Sequence, residues 1–268
     1  MCNKTNSIKY HFEKDGITYL KCNNCNLIFL DEKSYPSDLI DQYDDRSYFM
    51  NYIRGYHIYI KIFEKLIRKI EKFQKPGNIL DIGCGIGLLL YVAKKRNWNV
   101  FGTEISKFAS NFAKNNLKLN VIQSDNLSIF PNDFFDVIIA SHVLEHLKNP
   151  FIMLKSIREK LRLNGILVVS VPNIGGLLPR LEKQNWRSLQ PSQHIYQFSP
   201  QTLNLLLKKG GFKSINFNTE NRVFKYKFKL LNFILNNFIN SLLEKLKLGE
   251  AMTIISKKND KLRCDSKD

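Results

Sequence analysis

No stretch of this 268-residue chain is apolar for long enough to cross a bilayer as a helix. The uncharged run from Leu230 to Leu243 falls short of the roughly 18 residues that a spanning helix requires. The first residues, Met1 to Ser7, hold no apolar segment of the kind that opens a secretory signal, so the expected location is cytoplasmic. Cysteines are few, five at irregular spacing with Cys84 lying among glycines. That argues against a disulfide framework and for a reducing compartment. Acidic residues are also short, 24 against 41 lysines and arginines, which leaves a net charge of +17. A basic surface attracts nucleic acid, an anionic membrane or an anionic substrate such as a sugar nucleotide. The lysines are scattered, however, and a plain solvated surface fits them equally. With hydrophobic residues at 44% and charged residues at 24%, the composition excludes disorder and admits one large core, or one core and a small appendage.

The chain is organised around Asn78 to Leu90, Asn-Ile-Leu-Asp-Ile-Gly-Cys-Gly-Ile-Gly-Leu-Leu-Leu. It reads as a buried strand (Ile79, Leu80, Ile82) that breaks at Gly83, Gly85 and Gly87 and then opens an apolar helix. Glycine there lets the backbone turn tightly and leaves no Cβ to hold a ligand away from the helix N-terminus. Asp81 stands just before the turn, and Glu104 ends the next apolar strand. A carboxylate about twenty residues on is placed to accept from both hydroxyls of a ribose. The dinucleotide fingerprint G-x-G-x-x-G is not met, because its third glycine would fall on Leu88.

What stands here, D-x-G-x-G-x-G followed by a strand-end Glu, resembles motifs I and II of the class I S-adenosylmethionine (SAM) methyltransferases. The likeness is to the bacterial methyltransferase-23/11-like group, related to the ubiquinone-biosynthesis O-methyltransferases. It implies an α/β fold, Rossmann-like, with a seven-stranded, mostly parallel sheet and helices on both faces. It also implies SAM as cofactor, held by Asp81, Gly83, Cys84, Gly85 and Gly87, by Glu104 and Ile105, and by Asp125, Asn126 and Ser141. Asp125, at the end of the short strand Asn120 to Gln123, would accept from the adenine amine; an Asx turn is the other reading.

After the central strand Phe134 to Ala140 comes Ser141-His-Val-Leu-Glu-His146. Its H-x-x-E-H spacing matches a metalloprotease pattern, but a segment just beyond the carboxyl end of such a strand lines the cofactor crevice. It resembles the V-L-E-H motif of SAM methyltransferases. Some ubiquinone-biosynthesis O-methyltransferases carry acidic residues plus a His here and bind a divalent metal. His142 stands in place of the first acidic residue, so a metal role for Glu145 and His146 stays open. The long loop from Pro172 to Pro200, with Trp186 and His194, resembles the W…P…H-x-x-x-F-S signature of a subgroup often found with unassigned or glycan-related substrates. The implied reaction is methyl transfer to a hydroxyl of a small molecule, sugar nucleotide or glycan precursor. His194 is the first choice of general base and His142 the second, because imidazoles titrate near neutrality. An RNA methyltransferase and a non-catalytic SAM-binding module remain the alternatives.

The domain reading follows. Residues 1–35 form a small ribbon-like unit with Cys22-x-x-Cys25 at a turn, where Cys2, Cys22 and Cys25 could hold zinc. Residues 36–77 are a helical lead-in or lid, with Tyr48 and Phe49 as lid aromatics or plain core. Residues 78–257 are the SAM-binding domain, interrupted at 222–248 by a helical insertion that could touch a membrane surface or pack beside the pocket. Residues 258–268 read as a disordered tail.

Overall fold

The computed structural model describes residues 7–35, 46–220 and 241–259. The chain opens with β1 (Ile8–Lys14), β2 (Ile17–Cys22) and β3 (Ile28–Leu30), then α1 (Arg46–Arg54) and α2 (Tyr56–Ile70). Alternation follows: β4 (Asn78–Ile82), α3 (Leu88–Lys95), β5 (Asn99–Glu104), α4 (Lys107–Leu117), β6 (Val121–Gln123), β7 (Phe135–Ser141), α5 (Pro150–Lys160) and β8 (Leu161–Pro172). The remainder is α6 (Leu177–Glu182), β9 (Tyr196–Gln197), α7 (Pro200–Lys209), β10 (Phe212–Glu220) and β11 (Ala251–Lys258). Cys2, residues 222–240 of the insertion and the tail from 260 lie outside the described residues; residues 241–245 are helical.

Seven strands form the main sheet in the order β10-β11-β8-β7-β4-β5-β6. The five from β8 to β6 run parallel, and β11 is antiparallel to both its neighbours. Successive side chains point to opposite faces, so a strand buried on both sides is apolar throughout. On one face Leu80, Ile138, Leu167 and Val169 pack with Leu154 and Ile157 of α5 and Leu203 and Leu206 of α7. On the other, Ile79, Val137, Ile139 and Val168 pack with Ile67 and Ile70 of α2 and Leu89 and Leu90 of α3. Each fully buried Leu or Ile contributes about 1.5–3 kcal/mol. Two opposite faces of one sheet thus organise the core.

The amphipathic stretch after Arg46 is two helices, broken at Gly55. β8 begins at Leu161 and pairs with β7 through a register shift between Phe135 and Val137. One difference from the sequence reading concerns the N-terminal strands, which do not stand apart as a separate unit. β9 adds to β3 to make a four-stranded antiparallel sheet, and Tyr19, Ile28 and Leu30 bury against Trp186 and Leu189 of the long loop. Three short strands have too little apolar face to fold alone, and the loop supplies the missing layer.

Candidate active site

Where β4 meets α3, the three glycines take φ of +65°, +53° and +83°, a left-handed backbone that only glycine adopts without strain. A Cβ on Gly83 would stand 3.0 Å from Val143, and one on Gly85 would stand 3.6 Å from the Phe49 ring. These two bare positions keep the mouth of the turn clear. Gly87 has another duty, since a Cβ there would meet Leu119 at 2.6 Å. Cys84 faces inward beneath the turn, where Gly102 of β5 leaves it room: a Cβ at Gly102 would lie 2.8 Å from its Sγ. Burial pushes the Cys84 thiol pKa far up, so it packs without ionising.

Glu104 joins the turn to the start of α4. Its Oε2 accepts from the Gly85 amide at 2.7 Å and its Oε1 from the Ser106 amide at 2.9 Å. Ser106 in turn caps α4 by accepting from the Ala109 amide. Asp81 is buried at the end of β4, and burial, then the nearby Glu104 charge, push its carboxyl up to about 8. Ile105 is half-buried behind Glu104. On the loop after β6, Asn126 Oδ1 accepts from the Ser128 amide at 2.8 Å. The Asx turn is therefore made by Asn126, while Asp125 stays exposed. Asp125, Asn126, Leu127 and Leu147 line an open groove of about 340 Å³. A nucleoside fits this arrangement: a cradle that two Cβ atoms would narrow, a carboxylate beside it, and an open acidic loop at the far strand end.

The other side of the crevice is built on histidines. β7 ends at the half-buried Ser141, and the chain turns sharply at His142, whose φ is +55°. The His142 amide donates to Ser170 O at 2.8 Å, which pins the turn to β8. Its side chain is 53% exposed, with Nδ1 3.0 Å from Oε1 of Glu145, itself only 1% exposed. Desolvation lowers the His142 pKa, but the Glu145 hydrogen bond and charge outweigh it and hold the imidazole above its ordinary value. Burial likewise raises Glu145, and the His142 bond with the three surrounding imidazoles outweighs that and keeps the carboxylate low. His146 Nδ1 donates to Gln193 O at 2.9 Å, and His194 Nδ1 donates to Ser188 O at 2.8 Å. The rings of His146 and His194 meet edge to face, centroids 4.7 Å apart.

His194, the first choice of general base from the sequence, is 6% exposed, and burial brings its pKa down to about 4. The loop carrying it is fastened on two sides: Tyr196 N donates to Glu145 O at 3.1 Å, and Leu30 N donates to Ile195 O at 2.9 Å. Among the described residues the Cys22 and Cys25 thiols gather no third metal-ligating side chain, and Cys2 lies outside those residues. Glu145, His146 and His194 gather into one group. The spacing of the first two was visible in the sequence. Their meeting with a loop so much later in the chain had no local signal.

The strand order, the glycine cradle and the strand-end carboxylate define a class I SAM-dependent methyltransferase fold. Residues 56–216 match the family described as "Methyltransferase domain". The chain belongs to that family and is a SAM-dependent methyltransferase. It is 30% identical over 192 residues to the "Ubiquinone biosynthesis O-methyltransferase" of Rickettsia typhi, covering 63% of this chain and 73% of that one. The protein of the same description from Rickettsia akari is 30% identical over 117 residues, 42% of this chain and 47% of that one. Among solved structures, a SAM-dependent methyltransferase from Archaeoglobus fulgidus superposes with a TM-score of 0.56 at 26% identity, covering 74% of this chain and 93% of that chain. Among the described residues no helix is long and apolar enough to cross a membrane.

Proposed function

We propose that this enzyme methylates a hydroxyl oxygen of a small organic acceptor, a class that includes the sugar, sugar-nucleotide and glycan-precursor acceptors of the sequence reading. The observation that carries the proposal is His142. It is a half-exposed imidazole at the carboxyl end of β7, where open α/β sheets place their ligands, and a buried carboxylate holds it. The O-methyltransferase description of the Rickettsia relatives supports oxygen as the acceptor atom.

Bound SAM would supply a methyl group already activated by its sulfonium. The chain then has to position an acceptor and take its proton. The Gly83–Gly85 turn and Glu104 would hold the ribose end, Asp81 the cationic end, and Asp125 the base. His142, with Nδ1–H donated to Glu145, is left with Nε2 as the lone pair that receives the hydroxyl proton. The Glu145 carboxylate then stabilises the imidazolium and keeps the ring in that tautomer.

The test is transfer of labelled methyl from SAM to matched panels of phenols, sugar nucleotides, amines and mixed RNA. Labelled hydroxyl compounds, with a sharp loss in His142→Ala, are the expected result. Label confined to amines or RNA would overturn the reading.

A further inference from the structure

The long loop that covers the N-terminal sheet also brings a cation to the crevice. Resting on the hydroxyl-acceptor reading above, we propose that Arg187 binds an oxyanionic group of the methyl acceptor, a carboxylate or a phosphate, and so selects acidic acceptors over neutral ones.

Its position follows from the strands. β7 and β8 run parallel and β11 runs back beside β8, with Ser141 opposite Ser170 and Ala251 opposite Pro172. His142, which follows β7, and Glu250, which precedes β11, therefore stand at the same end of the sheet. Two strand spacings, about 10 Å, separate them. The backbone fixes Glu250 there, its carbonyl accepting from the Asn173 amide at 2.8 Å.

Arg187 Nε lies 3.4 Å from Glu250 Oε1, and the pair is lopsided: the carboxylate side chain is 6% exposed and the arginine side chain 63%. Glu250 anchors one edge of the guanidinium while the side chain stays open to solvent. Such a planar fork matches the two oxygens of a carboxylate or a phosphate. The root of the side chain is held as well, because the preceding residue, Trp186, is fully buried against the N-terminal strands. With root and tip both fastened, less rotamer freedom is lost when an anion binds.

The facing wall sets this fork beside the cofactor turn. Phe49 lies against that turn, a Cβ on Gly85 falling 3.6 Å from its ring. Tyr52 packs in the same cluster as Phe49 and stacks on Tyr59, ring centroids 4.5 Å apart. Burial and then Tyr52 raise the Tyr59 pKa, and the Arg187 charge opposes them. A row of rings thus leads from the glycine turn to Arg187. An acceptor lying along it presents its hydroxyl to His142 and its acid to Arg187.

The experiment uses the full chain loaded with S-adenosylhomocysteine and reads the binding of matched probes by calorimetry, benzoate against benzamide and uridine diphosphate against uridine. Wild-type should prefer the charged member of a pair by about ten- to a hundredfold, as charge-assisted hydrogen bonds give. The pair that responds tells carboxylate from phosphate. Arg187→Gln should lose that preference, Arg187→Lys should keep part of it, and both should bind S-adenosylhomocysteine as wild-type does. Because Arg187→Gln strands a buried carboxylate, Arg187→Gln/Glu250→Gln is measured beside it and should lose the same preference. In methyl transfer, Arg187→Gln should raise KM for an acidic acceptor by the same factor, with kcat and the KM of a neutral acceptor nearly unchanged. No preference for either charged probe in wild-type, or a preference retained in the two Arg187→Gln variants, would overturn the proposal. Label found only on amines, with the Arg187-dependent preference intact, would overturn the hydroxyl reading and leave the oxyanion site standing.

Discussion

The two sides of the crevice are built in opposite ways. The cofactor side comes from one continuous run, β4 through the loop after β6, in which each turn is dictated by its own residues: three left-handed glycines, a strand-end Glu104, a Ser106 cap. The histidine side is assembled from the end of β7, a loop beyond β8 and the N-terminal strands, which meet through β9, Trp186, the Glu145 contacts and the His146–Gln193 bond. The first side can keep its geometry if the second is disturbed, because little that shapes the glycine turn comes from outside its run. The second has no such independence.

The largest effect that would sharpen this contrast is on turnover. His142→Ala should lower the methyl-transfer rate by about 10²–10⁴-fold, the usual worth of a general base, while calorimetric affinity for S-adenosylhomocysteine stays unchanged. A parallel fall in affinity would show that the two sides are one unit. Trp186 is fully buried between the loop and the N-terminal strands, and Trp186→Ala should cost about 3–5 kcal/mol in urea unfolding. Short of the unfolding transition the variant should still bind S-adenosylhomocysteine.

Perturbing the cofactor side should do the reverse. Removing the Glu104 carboxylate loses charge-assisted hydrogen bonds worth about 1.5–3 kcal/mol, so Glu104→Ala should weaken S-adenosylhomocysteine binding by about ten- to a hundredfold. Binding as tight as wild-type would remove Glu104 from the cradle. The smallest effect is a pH dependence carried by Asp81, whose carboxyl sits at about 8 in the fold against about 4 in an unfolded chain. The folded state holds this proton longer, so its contribution to stability is complete below about pH 4 and lost as pH rises to about 8. An ammonium group of the ligand set beside Asp81 favours the ionised carboxylate and expels the proton. Affinity for S-adenosylhomocysteine should therefore climb with pH, by at most about tenfold per unit, and level off near pH 8. Asp81→Asn should flatten that profile, and an unchanged slope would place the titrating group elsewhere.

How legible each part was follows from the range of the interactions that make it. The strand of β4, its glycine turn and the start of α3 all depend on neighbours within a few residues, and each was readable. Gly83 and Gly85 are needed because of backbone angles that the turn itself requires. Asp136, near the start of β7, accepts from the Asn78 amide at 2.7 Å and from Arg162 at 3.0 Å.

Distance along the chain hid the rest. Nothing near His194 in the sequence says that it will be buried against His146, because its neighbours His146 and Glu145 lie on the segment after β7, far back in the chain. The apolar residues of β1 to β3 marked a small sheet without showing which segment would cover it. The amino-acid sequence alone determined the strand–glycine turn–helix cradle and its resemblance to the SAM methyltransferases, because continuous apolar strands and a local glycine turn are written in contiguous residues. Only the tertiary structure decided which histidine faces the crevice and that His146 and His194 gather with Glu145 behind it, because burial and convergence are properties of segments that become neighbours through folding.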